Sequence, residues 1–101
     1  MRTDEPILTI SVAAGLIKLH PRTLMLYEKS GLTTPHRTGT KRRMYSISDL
    51  DHLQFVKFLT QKEGLNLSGA RYIIKAIALS NEEGFDLRKK LFPSFKPEQL
   101  V

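Results

Sequence analysis

The chain has 101 residues, a formal net charge of +6 and no cysteine. A chain of this length holds one small domain with little room for a pocket of catalytic groups, so we do not expect an enzyme. Without cysteine there can be no disulfide, thiolate zinc site, iron–sulfur cluster or cysteine nucleophile.

The first predicted elements are a short strand and a helix. Residues 1–6 look like a loosely docked or disordered arm, and the ILTI that follows is a β-prone lead-in. Ser11 can cap a helix that runs through VAAGLIK. The residues predicted to share its buried face, at i, i+4 and i+7, are Val12, Leu16 and Leu19.

A second helix is predicted from Pro21 to Lys29. Pro21 ends the first helix because it cannot lie in a helix interior, yet it is favourable as the first residue of the next. Gly31 can adopt the left-handed geometry in which many helices end. Two short helices joined by a tight turn predict a helix-turn-helix. The side chains expected to seek a hydrophobic partner are Leu24, Leu26 and Tyr27.

The next predicted element is a β-hairpin with a basic tip. Residues 34–38 and 42–46 can form two strands around a turn at Gly39 and Thr40. An isolated hairpin is marginal in water, so this one must rest against the helices. A basic hairpin beside a helix-turn-helix is typical of a DNA-binding wing.

Two further helices are predicted after the hairpin. Ser48 can open the third, with Asp51 as its capping partner, and the apolar circumference of this helix as far as Gly64 makes it central. The fourth begins at Ser68. Its predicted core stripe consists of Ala70, Ile73, Ile74, Ile77 and Ala78.

The net positive charge of the chain lies entirely in the segment between Lys18 and Arg43. This segment contains seven basic residues and one acidic residue, whereas the rest of the chain carries nine of each and sums to zero. All of the net +6 therefore lies in the predicted helix-turn-helix and hairpin. Such a distribution is expected of a polyanion-binding face.

The last part of the chain is interrupted by Gly84, Pro93 and Pro97, so no long helix fits there. We therefore predict a DNA-binding domain at residues 1–80 and a tail at residues 81–101. The aromatic residues of the tail either fold back or bind another molecule, which makes it a candidate dimer or partner-binding segment.

Neither a membrane span nor a secretory signal is predicted, so we expect a cytoplasmic, nucleoid-associated protein. The apolar stretch ILTISVAAGLI is too short and too polar to cross a bilayer. His20, His36 and His52 lack the spacing of a metal-ligand pair. We accordingly expect no metal and no cofactor.

The motifs make the chain similar to the MerR family of bacterial transcription regulators. The resemblance is carried by T-L-x-x-Y-E-x-x-G-L, P-x-R-T and R-x-Y, in that order, within residues 7–80. Within the family, LHPRTL, LTQKEG and NLSGA most resemble the HspR subgroup of heat-shock repressors, and GLNLSGARYII also resembles GlnR and TnrA. The fold implied is mainly α with a small β-hairpin wing, a winged helix-turn-helix.

The resemblance also implies which residues bind DNA. Arg22, Thr23 and Tyr27 would lie on or beside a recognition helix, with the Tyr27 hydroxyl directed at a phosphate. Arg37 and Arg43 would grip the DNA backbone from the wing. The full set of candidate DNA-binding residues is Arg22, Thr23, Tyr27, Lys29, Arg37, Lys41, Arg42, Arg43 and Tyr45.

Several positions need separate interpretation. For Tyr45 we favour packing between wing and core, with a DNA contact as the alternative, and Glu28 is expected to pair with a nearby cation or cap locally. Met25 stands where the family usually has arginine, so a DNA contact is missing or is replaced by an apolar one. Lys18 stands in the turn where glycine or asparagine is usual. Because Gly84 and Pro93 interrupt the last part of the chain, we do not expect it to form the long C-terminal helix through which the family dimerises.

The function implied is a sequence-specific repressor of heat-shock or chaperone genes. It would bind an inverted-repeat operator as a homodimer, with the DnaK chaperone as a candidate co-repressor. One alternative is a nitrogen-metabolism repressor like GlnR and TnrA. Another is a protein-interaction adaptor that keeps the fold but binds a partner through the aromatic residues of the tail.

Overall fold

The computed structural model describes residues 3–101. The chain is mainly helical with a small three-stranded antiparallel sheet, and the predicted winged helix-turn-helix is confirmed. The strands are β1 (Leu8–Thr9), β2 (His36–Arg37) and β3 (Arg43–Tyr45). The helices are α1 (Ile10–Leu16), α2 (Pro21–Lys29), α3 (Ile47–Lys57), α4 (Leu67–Glu82) and α5 (Leu87–Leu91).

Helix α1 begins earlier than predicted, and the predicted buried face is right only in part. Its N-cap is Thr9, whose Oγ1 accepts a hydrogen bond from the Val12 N–H at 3.3 Å, so the prediction that Ser11 caps this helix was wrong. The last extended residue of β1 already supplies the capping oxygen. Val12 is 49% exposed, whereas Ala13 and Ala14 are fully buried. These small side chains are the most buried part of the core face, and Leu16 and Leu19 of the predicted stripe are half-buried and pack against the same core.

The turn between α1 and α2 contains a residue in the left-handed conformation. Lys18 has a φ of 57°, although such geometry costs a residue with a Cβ about 1 kcal/mol. The turn is held on both sides. The Leu19 N–H donates to the Ala14 carbonyl at 2.9 Å, and the Lys57 ammonium of α3 donates to the Ile17 carbonyl at 2.9 Å.

Helix α2 has the bounds that its sequence predicts. Pro21 is its first residue, and the chain leaves the helix through Gly31 with a φ of 77°. The Leu32 N–H donates to the Tyr27 carbonyl at 2.9 Å, which satisfies one of the free carbonyls at the helix end. Leu24 and Tyr27 fix the helix to the core because both are buried.

The predicted hairpin is confirmed, with shorter strands, and it gains a third strand. In β2 and β3, His36 is paired with Met44 and Arg37 with Arg43. On its other edge, β3 is paired with β1. The hairpin, residues 36–45, is called the wing below. Because β1 leads directly into α1, the sheet fixes the wing to the start of the helix-turn-helix.

Helix α3 is central, but Ser46 caps it and the prediction of Ser48 was wrong. Ser46 Oγ accepts from the Asp49 N–H at 3.1 Å, and Asp49 Oδ2 accepts from the Ser46 N–H at 2.8 Å. This is a reciprocal capping box. The helix continues into a π-helical turn at Phe58–Lys62 and ends before Gly64, whose φ is 71°.

Helix α4 is capped by Asn66, so the prediction that it begins at Ser68 was also wrong. Asn66 Oδ1 accepts from the Gly69 N–H at 2.7 Å. Within the predicted core stripe, Ala70 and Ile77 are buried and Ala78 is exposed. The helix runs to Glu82 and therefore crosses the predicted domain boundary at residue 80.

The C-terminal segment folds back onto α3. Phe92 and Phe95 pack against Phe55 and Phe58, with ring centroids 5.0 to 5.8 Å apart. Folding back was one of the two outcomes predicted for these aromatic residues. Phe85 does not join this cluster and is 47% exposed.

The start of the described chain is docked. The Thr3 carbonyl accepts a hydrogen bond from the Ser48 N–H at the start of α3, at 2.8 Å. This contact favours docking over disorder for the end of the predicted N-terminal arm. Met1 and Arg2, which belong to the same predicted arm, lie outside the described residues.

Candidate nucleic-acid interface

One face of α2 is open to solvent. Its exposed residues, Arg22, Met25, Leu26 and Lys29, recur at i, i+3, i+4 and i+7. Met25 is 40% exposed and Leu26 is 47% exposed. The prediction that Leu26 seeks a core partner was wrong, because its spacing from Arg22 places it on the outer face. That spacing is the sequence signal that could have identified it.

The N-terminus of α2 is partly closed by its own cap. His20 Nδ1 accepts a hydrogen bond from the Arg22 N–H at 3.0 Å, and Pro21 has no N–H to offer. The Thr23 N–H donates to the His20 carbonyl at 2.9 Å. Side chains, rather than the backbone donors of these first residues, are therefore the groups that this helix end presents.

The Tyr27 side chain cannot reach a phosphate in this conformation. It is 2% exposed, and its hydroxyl lies 3.2 Å from Thr60 Oγ1 on the π-helical turn. Burial raises the pKa of the phenol. The prediction of a direct contact between this hydroxyl and DNA is corrected because the hydroxyl is held within the core.

Glu28 joins α2 to the wing. Its Oε2 accepts from Arg37 Nη2 and its Oε1 from Arg43 Nε, each at 2.7 Å. Partial burial raises the pKa of the Glu28 carboxyl, but the hydrogen bonds and charges of Arg43 and Arg37 outweigh it and lower that pKa below its usual value. The expectation that Glu28 pairs with a nearby cation is confirmed.

The two arginines predicted to grip the DNA backbone are thus held by a carboxylate. Arg37 also donates through Nη1 to the Lys41 carbonyl at 3.0 Å, which extends the contact to the tip of the wing. The Arg37 side chain remains 42% exposed and the Arg43 side chain 30% exposed. Each guanidinium therefore keeps surface from which a second anion can be reached.

The wing tip is a tight turn with exposed cations. Lys41 has a φ of 64°, and its N–H donates to the Thr38 carbonyl at 2.8 Å. The Arg42 N–H donates to Thr38 Oγ1 at 3.1 Å. Lys41 and Arg42 are both exposed, so the predicted candidates at this turn are open to a ligand.

Tyr45 is a core residue, so the alternative prediction that it contacts DNA directly is not supported by its position. The side chain is fully buried, and its hydroxyl has no hydrogen-bond partner among the described residues. Burial raises the pKa of this phenol. Packing was the interpretation that the sequence favoured.

The candidate surface therefore consists of the outer face of α2 and the wing, joined through Glu28. The candidates that stay accessible, at least in part, are Arg22, Thr23, Lys29, Arg37, Lys41, Arg42 and Arg43. These side chains offer cations for phosphates and donors for base edges, and Met25 and Leu26 add apolar surface.

Within residues 3–101, no group of three or more His, Asp or Glu side chains is arranged to hold a metal ion. Over the same residues, no helix is long and apolar enough to cross a membrane.

Comparison with known proteins gives one family and two kinds of relative. Residues 8–77 match the MerR HTH family of regulatory proteins. Over 72 residues the chain is 47% identical to a Streptomyces coelicolor protein named as a heat shock protein, HspR. The aligned region covers 71% of this chain and 48% of that protein. It is 33% identical over 73 residues to the HTH-type transcriptional regulator GlnR of Bacillus anthracis and of Bacillus cereus, covering 72% of this chain and 56% of each relative. The chain thus spans about half the length of these relatives.

Proposed function

Because the chain belongs to the MerR HTH family of regulatory proteins, we propose that it is a sequence-specific DNA-binding repressor of heat-shock or chaperone genes. The observation that carries the DNA-binding part is the exposed face of α2 beside a cationic wing, in the segment that holds the whole net charge. The identity to a protein named HspR supports the choice of target genes. Its place of action would be the nucleoid, in the cytoplasm.

Helix α2 would enter the major groove as the recognition helix. Arg22 and Lys29 suit acceptor groups on bases or phosphates, because both are exposed cations at the two ends of this face. Met25 and Leu26 lie between them and offer apolar surface that can contact a thymine methyl group. This face would therefore read sequence by charge at its ends and by shape at its centre.

The wing would contact the sugar–phosphate backbone beside that groove. Arg37 and Arg43 are preoriented by Glu28, and Lys41 and Arg42 project from the turn. Preorientation reduces the side-chain entropy that is lost when a phosphate binds. These contacts would fix the register of the protein on DNA without selecting a sequence.

We assign the operator as an inverted repeat bound by a homodimer. A symmetric dimer places two recognition helices on half-sites related by a twofold axis. Footprinting of genomic fragments with the purified chain, together with sedimentation of the complex, measures both properties. Protection of a single half-site by a monomer would contradict the dimer, and protection beside nitrogen-metabolism genes would favour the GlnR-like alternative.

The DnaK chaperone is the co-repressor that this proposal includes. If it acts through the C-terminal segment, deletion of residues 81–101 should abolish chaperone binding or change the oligomeric state. Because α4 runs to Glu82 and the aromatic residues of the tail pack on α3, folding of the deleted chain must be checked by circular dichroism. A folded deletion variant that still binds the chaperone and keeps its oligomeric state would exclude this role for the tail.

The salt dependence of DNA binding tests the electrostatic part of the proposal. Each phosphate contact releases counterions, so the logarithm of the association constant should fall with the logarithm of salt concentration with a slope of about −0.9 per contact. Fluorescence anisotropy of labelled promoter DNA at several salt concentrations gives this slope. An affinity that does not change between low and moderate salt would contradict the model, and no binding to any DNA at low salt would favour the adaptor.

Two alanine variants separate sequence reading from backbone contact. We expect Arg43→Ala to weaken binding to cognate and scrambled DNA by similar factors, because its guanidinium would contact phosphate. Arg22→Ala should also reduce the preference for cognate DNA, by about 1–3 kcal/mol if it reads a base. Competition with scrambled duplexes measures both effects, and equal losses on the two DNAs for Arg22→Ala would remove it from base recognition.

A further inference from the structure

A cleft of about 660 Å³ lies outside the candidate DNA-binding surface. It is formed by the α1–α2 turn, the C-terminal half of α3 with its π-helical turn, and the end of the chain. None of the candidate DNA-binding residues lines it. Its apolar lining consists of Leu16, Ile17, Phe58, Phe95 and Leu100.

The cleft carries an excess of positive charge. Four lysines line it, against one carboxylate, that of Glu98. Among residues 3–101, none of the four ammonium groups forms an ion pair with a carboxylate. The four residues, which define the lysine cleft, are Lys18, Lys57, Lys62 and Lys96.

Two of these lysines are held in place by contacts within the chain. The Lys57 ammonium donates to the Ile17 carbonyl at 2.9 Å, and the Lys62 ammonium lies 5.8 Å from the centroid of the Phe58 ring. Positive charge is therefore positioned directly beside the apolar lining. A surface lysine without such contacts would instead extend its ammonium group away from the apolar lining into solvent.

The wall contributed by the end of the chain is fixed as well. Gln54 Nε2 donates to the Glu98 carbonyl at 3.0 Å, and the Glu98 N–H donates to Gln54 Oε1 at 2.8 Å. Phe95 packs on Phe58 with ring centroids 5.0 Å apart. The lysine cleft is therefore preformed, which lowers the entropic cost of binding.

We propose that the lysine cleft binds an acidic linear peptide segment of a partner protein, with an aromatic or large aliphatic side chain on its apolar lining. The carboxylates of the segment would pair with the lysines, and its apolar side chain would cover Phe58 and Phe95. Charge complementarity selects the acidic residues of the partner. The apolar lining disfavours a nucleic acid or a free inorganic anion, because phosphodiesters and phosphate carry no apolar side chain to cover it.

Fluorescence anisotropy with defined probe peptides tests this site on the full chain. The first probe alternates Glu or Asp with Phe or Leu, the second replaces the acidic residues by Gln or Asn, and the third replaces the apolar residues by Ser. Only the first probe should bind well, and each replacement should weaken binding by at least about tenfold. Equal binding of the first and third probes would overturn the proposal, because the apolar lining would then be unused.

A matched pair of variants locates the binding site. The double variant Lys62→Glu and Lys96→Glu should weaken binding of the first probe by at least about tenfold. The control, Lys75→Glu and Lys90→Glu, makes the same charge change at exposed residues outside the cleft, and its effect should stay below about threefold. Equal losses in the two variants would overturn the proposal in favour of nonspecific attraction.

Two further readouts separate this site from the DNA surface. Both double variants make the same change in net charge, and neither alters a candidate DNA-binding residue. Promoter affinity should therefore fall by the same factor in both. In NMR spectra, the first probe should shift the amide signals of Lys18, Gln61 and Ser94, and those of α4 should stay in place. Shifts confined to α2 and the wing would overturn the proposal and leave the proposed DNA-binding function intact.

Discussion

At the scale of single residues, two buried tyrosines differ in whether their hydroxyl groups are satisfied. The Tyr27 hydroxyl pairs with Thr60, whereas the Tyr45 hydroxyl is buried without a partner among the described residues. Burial raises the pKa of both phenol groups above the usual value. In this structure neither side chain is open to DNA, because Tyr27 is 2% exposed and Tyr45 is fully buried.

Tyr45→Phe should not destabilise the protein. Removal of a buried hydroxyl that has no partner removes a desolvation cost, so the free energy of unfolding should stay equal or rise. Tyr27→Phe serves as the control and should lower it by about 0.5–1.5 kcal/mol, because a hydrogen bond to Thr60 is lost. Urea unfolding measures both. A loss of more than about 1 kcal/mol in Tyr45→Phe would contradict the absence of a hydrogen bond.

Met25 offers a test of what the outer face of α2 reads. It is 40% exposed, at the position where the family resemblance leads us to expect arginine. Met25→Arg should strengthen binding to nonspecific DNA and increase the magnitude of the salt slope by about one contact. Met25→Ala should weaken cognate binding if the thioether side chain contacts a thymine methyl. An anisotropy series over salt, with uracil substituted for thymine in the operator, distinguishes a contact from a gap.

At the scale of elements, three helix starts show why capping was predicted two residues too late. The sequences T-I-S at 9–11, S-I-S at 46–48 and N-L-S at 66–68 each offer two capping residues around one apolar residue. In all three the earlier residue caps, and the apolar residue, half-buried, becomes the first residue of the helix. Local sequence gives both choices, and burial of the central side chain selects between them.

The same contrast between local and tertiary information holds for the candidate surface. Helix α2 could be predicted because Pro21 and Gly31 mark its two ends within the chain itself. The pairing of Glu28 with both wing arginines depends on how the wing packs against α2, so only the existence of a cationic partner could be anticipated. The direction of the Tyr27 hydroxyl likewise depends on tertiary packing, in its case the packing of α2 against the π-helical turn that carries Thr60.

Glu28→Gln should weaken DNA binding although it removes a negative charge from a cationic surface. The substitution breaks the charged contacts that hold Arg37 and Arg43 on the wing, so preorientation is lost and affinity should fall by about three- to tenfold. Glu63→Gln is the matched control at an exposed position and should leave affinity equal or slightly higher. Anisotropy with promoter DNA measures both. Tighter binding by Glu28→Gln would contradict a positioning role.

The stability that the contact between the wing and α2 contributes should depend on pH. Because the pKa of Glu28 is lowered in the folded protein, its contribution to stability is present above the ordinary carboxyl range and is lost as pH falls through the lowered value. The stability difference between wild type and Glu28→Gln should therefore shrink between about pH 5 and pH 3. Urea unfolding across this range tests it, and a constant difference would mean that ionised Glu28 is not the stabilising form.

At the scale of the whole molecule, the C-terminal segment completes the core of α3 rather than forming a separate unit. Phe92 and Phe95 cover Phe55 and Phe58, and the Arg88 guanidinium lies 5.7 Å from the Phe55 ring and 5.6 Å from the Phe95 ring. The same segment therefore both stabilises the fold and forms one wall of the lysine cleft. The candidate DNA-binding residues lie on α2 and the wing, which these rings do not contact. Substitutions in the segment should therefore lower stability without changing DNA recognition.

Phe95→Ala should lower the free energy of unfolding by about 2 kcal/mol, less than a fully buried phenylalanine would, because the side chain is only half-buried. Phe85→Ala is the matched control: its ring is 47% exposed and lies outside the aromatic cluster, so its cost should stay below about 1 kcal/mol. Thermal and urea unfolding measure the two losses, and promoter affinity of the folded protein should change by less than about twofold in either variant. A loss in Phe95→Ala as small as the one expected for Phe85→Ala would mean that the packing of this ring on α3 does not contribute to the stability of the fold.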